Sequence, residues 1–314
     1  MQRTVCSLIA AAGLAAGLSS GALAEDWYPS KWGADDEIGA ANALSPEKVL
    51  EAAKLITAGK TYRMGVIVGR DTPAFPPRSL SVTITMPNQF GGATFGENGM
   101  SYVDDIFTGW LGIGTQIDSL AHLGIDGTFY NGRKAKDFVA TTGVKKMGIE
   151  KIPPIVTRGV LLDMAKYKGK DRLEEGEVIT VDDLKGAIEA QSVTPGEGDV
   201  IVLHTGWLSM LEEDPERFGS GEPGINSQGA EYLAGLGVVA VGADTWGVEA
   251  VPFDENGAVW GGHQVLLAKN GVYILETLDT RELVADGVKE FMFTLGQPLY
   301  RGAVQAIVNP VAIR

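Results

Sequence analysis

Cysteine is almost missing from this chain of 314 residues, and its one cysteine is Cys6. Residues 1–24 carry a single charge, Arg3, followed by an apolar Ala/Gly/Leu-rich run from Val5 to Leu18 that leads into Ala22-Leu23-Ala24. That pattern reads as a secretory signal peptide with an A-x-A cleavage site, too short and too rich in glycine for a stable membrane span. Cleavage after Ala24 removes Cys6, so disulfides, thiolate metal sites and cysteine nucleophiles are excluded from residues 25–314. Cys6 stands at the head of the apolar run instead of following its core, which argues against a lipoprotein cysteine. The expected product is exported and soluble, most simply in a bacterial periplasm.

Basic charge is scarce as well. Only 26 Lys and Arg face 40 Asp and Glu, giving a formal net charge of −14 with no Lys/Arg-rich block. Nucleic acid and anionic membrane are therefore poor partners, which leaves a small molecule. The chain shows no P-loop sequence and no repeat with a period of roughly 20–50 residues. Gly235-Leu236-Gly237-Val238-Val239-Ala240 matches G-x-G-x-x-A, but it follows a helix pattern and opens a strand, the reverse of a dinucleotide fingerprint. Ser209, Ser220 and Ser227 lack the strand-and-elbow setting of a serine nucleophile.

What is present is a 45% hydrophobic composition, enough for one large core, with 42 Gly and 14 Pro that favour many short elements over a helical bundle. Ser45-Pro46-Glu47 reads as a helix start, with Leu50, Ala53 and Ile56 on one face and Gly59 closing it. Alternation at Tyr62, Met64 and Val66, and again over 80–85, predicts strands separated by the Pro-stiffened loop 71–78. Further strands are predicted over 159–164, 199–203, 238–241, 272–275, 291–295 and 303–308. Helices are predicted over 180–191, opened by a capping box, and over 227–234 and 264–269. This order implies an α/β single domain over 25–314, with a mixed sheet curled into a barrel-like core and flanked by helices.

The chemistry concentrates in two places. In Gly112-Ile113-Gly114-Thr115-Gln116-Ile117-Asp118-Ser119-Leu120-Ala121-His122, an extended backbone puts Gln116, Asp118 and His122 on one face. The second is Gly261-Gly262-His263, then Leu266-Leu267, Gly271 and Glu276, with His263 at a helix start and Glu276 at the end of the next strand. Two such termini meet at one rim of an α/β sheet. Imidazole and oxygen donors without thiolate suit Zn²⁺ or Mn²⁺, and two carboxylates neutralise a divalent ion.

These stretches resemble the cyclase/kynurenine-formamidase-like family of metal-dependent hydrolases, an arylformamidase-like group whose signature is H-x-G-T-H-x-D-x-P-x-H. Trp32 to Gly39, Asp126 to Gly132 and His204-Thr205-Gly206-Trp207 extend the resemblance over about residues 27–310. It implies a swivelling β/β/α-like fold, a homodimer or tetramer, and Gln116, Asp118, His122, His263 and Glu276 as metal ligands, with His122 also serving as proton shuttle. The departures are Gly112 and Gln116 at positions usually held by His, and Leu120 at the Pro. Gly112 offers no side chain, so one metal is expected. His204 is a candidate stand-in for the lost imidazole.

Phe75 and Trp246 suit either packing or the wall of an apolar pocket, and Arg78 either a substrate carboxylate or the plain surface. Asp104-Asp105 reads as a solvated turn or a support to the site. The implied activity is hydrolysis of a cyclic amide, lactone or formamide by water activated on the metal. The alternative is a periplasmic protein of the same fold that binds a small molecule or a metal without turnover.

Overall fold

The computed structural model describes residues 27–86, 91–92, 94–253 and 259–314. The leader assigned to 1–24, with Cys6, lies outside the described residues. No helix among the described residues is long and apolar enough to cross a membrane.

A curled nine-stranded mixed sheet organises the chain. Its strands, in chain order, are β1 (Thr61–Arg63), β4 (Gln116–Asp118), β5 (Ile155–Asp163), β6 (Val200–His204), β7 (Ala240–Ala243), β8 (Tyr273–Glu276), β9 (Glu290–Leu295), β10 (Gln305–Ile307) and β11 (Val311–Ile313). The other two, β2 (Leu80–Thr85) and β3 (Asp104–Gly109), pair among the described residues only with each other, as a separate ribbon. The spatial order is β1-β11-β9-β5-β6-β7-β8-β4-β10. The four strands β5 to β8 run parallel, and antiparallel strands complete the sheet on both sides.

The parallel strands read as near-continuous apolar runs because both of their faces are covered. Every residue of β6, β7 and β8 is buried. Helices α1 (Pro46–Ala53) and α2 (Val181–Gln191) pack against β5, while α3 (Ser227–Gly235) packs on the helical segment Gly261–His263 and its π-helical continuation Gln264–Lys269. The expected capping box is present: the Thr180 hydroxyl accepts from the Asp183 amide, and Asp183 accepts from Thr180 N.

Three local expectations fail. Helix α1 buries Ala52 and leaves Leu50 at 67% exposure, because it lies on the sheet through the opposite edge of its apolar stripe and stops at Ala53, well short of Gly59. The acidic pair Asp104-Asp105 lies in neither a turn nor a support to the site but opens β3, all of whose residues are exposed. The strand carrying the first cluster ends at Asp118, so strand parity does not aim His122. A turn does, in which His122 N donates to Ser119 O.

Candidate metal centre

Strand β4 is the axis of the site because it is held on both sides. Glu276 of β8 lies directly across from Gln116, and Gln305 of β10 directly across from Asp118. Residues two apart on a strand share a face, and so do direct cross-strand neighbours. Four polar side chains therefore form one patch on the sheet, and all four are buried.

Each carboxylate has one oxygen held by an amide. Gln305 Nε2 donates to Asp118 Oδ1 at 2.8 Å, and Gln116 Nε2 donates to Glu276 Oε2. Both remaining oxygens approach the same nitrogen: His263 Nε2 lies 3.2 Å from Glu276 Oε1 and 3.7 Å from Asp118 Oδ2. His122 Nε2 stands 3.9 Å from Asp118 Oδ2, on the side of the cavity.

His263 is aimed from behind by Glu249, which accepts from the backbone amides of Gly262 at 2.8 Å and His263 at 2.6 Å, and pairs with Nδ1 at 2.7 Å. A Cβ on Gly262 would fall 2.7 Å from the Glu249 carboxyl carbon, so the glycine is what admits this carboxylate. The edge of Trp260 closes on the imidazole, with ring centroids 4.9 Å apart.

The residues present fit a divalent ion. Among the described residues, Asp118, His263 and Glu276 form a buried group whose ligand atoms all lie within 4.8 Å of one another. Asp118 Oδ2 is buried without a hydrogen-bond partner among the described residues, an arrangement that costs free energy unless a cation completes it. Three carboxylates (Asp118, Glu249 and Glu276) surround a single imidazole. Burial opposes charge on His263, yet Glu249 and Glu276 outweigh it and push the imidazole up to about 10. Burial and the charge of Asp118 push the Glu276 carboxyl above the usual range, with His263 and Arg78 offsetting part of the rise. Burial lowers the His122 imidazole, against the pull of Asp118. It is thus neutral near pH 7 and able to accept a proton.

The structure brings together Asp118, His122, His263 and Glu276, and it places Gln116 beside them with its amide nitrogen turned to Glu276. Phe75, Arg78 and Trp246 line the same cavity. Phe75, Trp246 and Trp260 form a continuous aromatic wall, with centroids 5.9 and 5.7 Å apart. His204 does not join the group: its Nδ1 pairs with Thr280 Oγ1 at 2.7 Å and lies 3.3 Å from Asp244 Oδ2.

Sequence reading did not single out Glu249, Gln305 or Trp260. The available signal was a lone polar residue within an otherwise apolar strand, which Gln305 is, since a buried polar side chain is the informative exception. Two of the other family-like stretches are tied to each other. Asp36 accepts from Gly39 N and from the Tyr130 hydroxyl, tying Trp32–Gly39 to Asp126–Gly132.

Fold and site together define a cyclase-type α/β protein with a buried carboxylate and imidazole group that could hold a metal ion. The chain belongs to the cyclase family: a family model described as "Putative cyclase" matches residues 62–250. A crystal structure of a novel cyclase is 31% identical, with a TM-score of 0.82 over 91% of this chain and 98% of that one. Isatin hydrolase A from Ralstonia solanacearum shares the fold at 18% identity and a TM-score of 0.62, over 86% of this chain and 98% of its own. An isatin hydrolase bound to the product analogue thioisatinate does so at 17% identity and a TM-score of 0.60, again over 86% and 98%. None of the curated proteins matches the chain.

Proposed function

We propose that the protein is a metal-dependent hydrolase that opens a cyclic amide, lactone or formamide. The observation that carries this reading is Asp118 Oδ2, buried and without a hydrogen-bond partner among the described residues, beside His263 and Glu276, which line the cavity. Asp118, His263 and Glu276 would hold a single ion, Zn²⁺ or Mn²⁺ by the hardness of the donor set. A bound divalent ion supplies polarisation of the scissile carbonyl and brings the pKa of a water toward neutrality.

The chain's own residues do the rest. Gln305 and Gln116 fix the carboxylates so that one oxygen of each faces inward. Glu249 fixes the imidazole orientation of His263. His122, neutral and open to the cavity, takes a proton from the attacking water and returns it to the leaving nitrogen or oxygen. Phe75, Trp246 and Trp260 exclude solvent along one wall.

Elemental analysis of the purified protein, followed by a panel of lactone, cyclic amide and formyl-amide substrates with and without chelator, tests the reading. Stoichiometric metal and chelator-sensitive turnover are expected. Metal without turnover of any class would favour a binding protein instead, a reading that the missing side chain at Gly112 supports.

We also propose a homodimer. The β2–β3 ribbon exposes Val82, Ile84, Ile106 and Phe107, with Trp110 just after it, each at 47% to 53%, and its two strands have no other sheet partner among the described residues. Such an apolar ribbon with open edges is a liability in a monomer. Sedimentation of Ile106→Lys against wild type is the check, with dissociation expected.

A further inference from the structure

Position 112 has no side chain, yet its space is filled. A Cβ built on Gly112 would lie 2.5 Å from Gln305 Oε1 and 2.6 Å from Arg78 Nη1. The guanidinium is locked there, because Arg78 Nη1 donates to the Gly112 carbonyl at 2.9 Å while its own backbone amide bonds Phe75 O. The arginine therefore occupies the room that a residue larger than glycine would need. Glycine at 112 and arginine at 78 are one device.

No ion pair among the described residues holds that cation. Arg158, Arg172, Arg217 and Arg281 each pair with a carboxylate within 4.0 Å. Among the described residues Arg63, Arg70, Arg78, Arg133, Arg301 and Arg314 do not, and of these Arg78 is the one that lines the cavity. The nearby carboxylates face other groups: Asp118 Oδ1 accepts from Gln305 while its Oδ2 faces His263, and Glu276 bonds Gln116 and His263. A guanidinium carries five N–H donors in a rigid fork, and the Gly112 carbonyl takes one. Arg78 lines the cavity that also holds His122 and the wall formed by Phe75, Trp246 and Trp260. A planar fork beside a flat aromatic wall matches a planar carboxylate on an aromatic ring.

We propose that Arg78 forms a carboxylate subsite in this cavity, so that the preferred ligands are aromatic acids, the ring against Phe75, Trp246 and Trp260 and the carboxylate paired with the guanidinium. The proposal rests on the reading of this cavity as the substrate pocket, and it narrows the substrate class to amides, lactones or formamides of anionic aromatic compounds.

Binding, not turnover, tests it. Benzoate and benzamide, which differ in charge but hardly in shape, are titrated into metal-loaded and chelator-treated protein and followed by tryptophan fluorescence. Wild type is expected to prefer benzoate by about 10- to 100-fold, the range of charge-assisted pairs. Arg78→Gln should lose that preference while keeping its benzamide affinity and metal content, and Arg78→Lys should keep part of it. Equal benzoate binding in wild type and Arg78→Gln overturns the proposal, as does an equal loss of both ligands. A preference that survives in Arg78→Gln but vanishes on chelation assigns the carboxylate to the metal and overturns it too. If Arg78→Gln does not fold, the benzoate preference of Arg78→Lys decides: a preference undiminished from wild type overturns the proposal. Failure of the hydrolase reading looks different: the benzoate preference stands while no substrate is turned over.

Discussion

Glu249 grips His263 twice, its Oε1 lying 2.6 Å from the backbone nitrogen and 2.7 Å from Nδ1. With Nδ1 engaged, only Nε2 remains to face Asp118 and Glu276. A histidine ligand whose second nitrogen meets a carboxylate is fixed in tautomer and orientation, and made more basic. The predicted result is that Glu249→Gln, which keeps size and removes the charge, weakens metal affinity by about 10- to 100-fold. Competition against a chromogenic chelator measures it. Affinity equal to wild type would mean that Glu249 only caps the helix at Gly262.

Ligands and proton shuttle should separate cleanly. Asp118→Ala and Glu276→Ala each remove one of three inward-facing donors and are expected to purify without stoichiometric metal. His122 stands 3.9 Å from Asp118 Oδ2 and outside the three-residue group, so His122→Ala should keep its metal. It should lose about 10²- to 10⁴-fold in turnover, the usual range for a missing general acid–base. Elemental analysis beside steady-state kinetics distinguishes the two classes.

Residue types and spacing announced part of this site and concealed the rest for physical reasons. Asp118, His263 and Glu276 were legible because each sits at the end of an element with a strong local signal. The long strands were legible too: burial on both faces makes β5 and β6 continuous apolar runs. Strand β3 was not, since a ribbon that touches no core needs no alternation, and it opens with two aspartates. Gln305 was read within a strand, but its role depends on lying opposite Asp118, a register set across 187 residues of chain. Glu249 lies in a loop where no periodicity marks it. His122 lines the cavity, but a turn, not strand parity, delivers it there.

Restoring the family's histidine at position 112 should fail. Gly112→His drives a Cβ into Gln305 and Arg78, and overpacking of this kind costs about 1–3 kcal/mol. The variant is expected to be destabilised in denaturant titration and to gain no second metal. Arg78→Ala opens the same space, so the double variant should lose less stability than the two single changes added together, since the sites are in contact. Strict additivity would show that Arg78 does not fill the space at 112.

His204 should make stability fall as pH rises. Burial alone would lower its pKa, but the hydrogen bond and charge of Asp244, with Asp163 and Asp279 behind it, outweigh burial and raise it. The native state therefore holds a proton that the unfolded chain releases near 6.5. The stabilisation is complete below that pH and is lost as pH climbs through the higher native value. Across this window the unfolding free energy of wild type should decline with a slope of at most about 1.4 kcal/mol per pH unit from this group. His204→Gln, which keeps a polar side chain but cannot titrate, should flatten that part of the profile. Because His204 bonds Thr280 and Asp244 and none of the candidate ligands, metal content should stay unchanged in the same variant. A profile as steep as wild type would place the titrating group elsewhere.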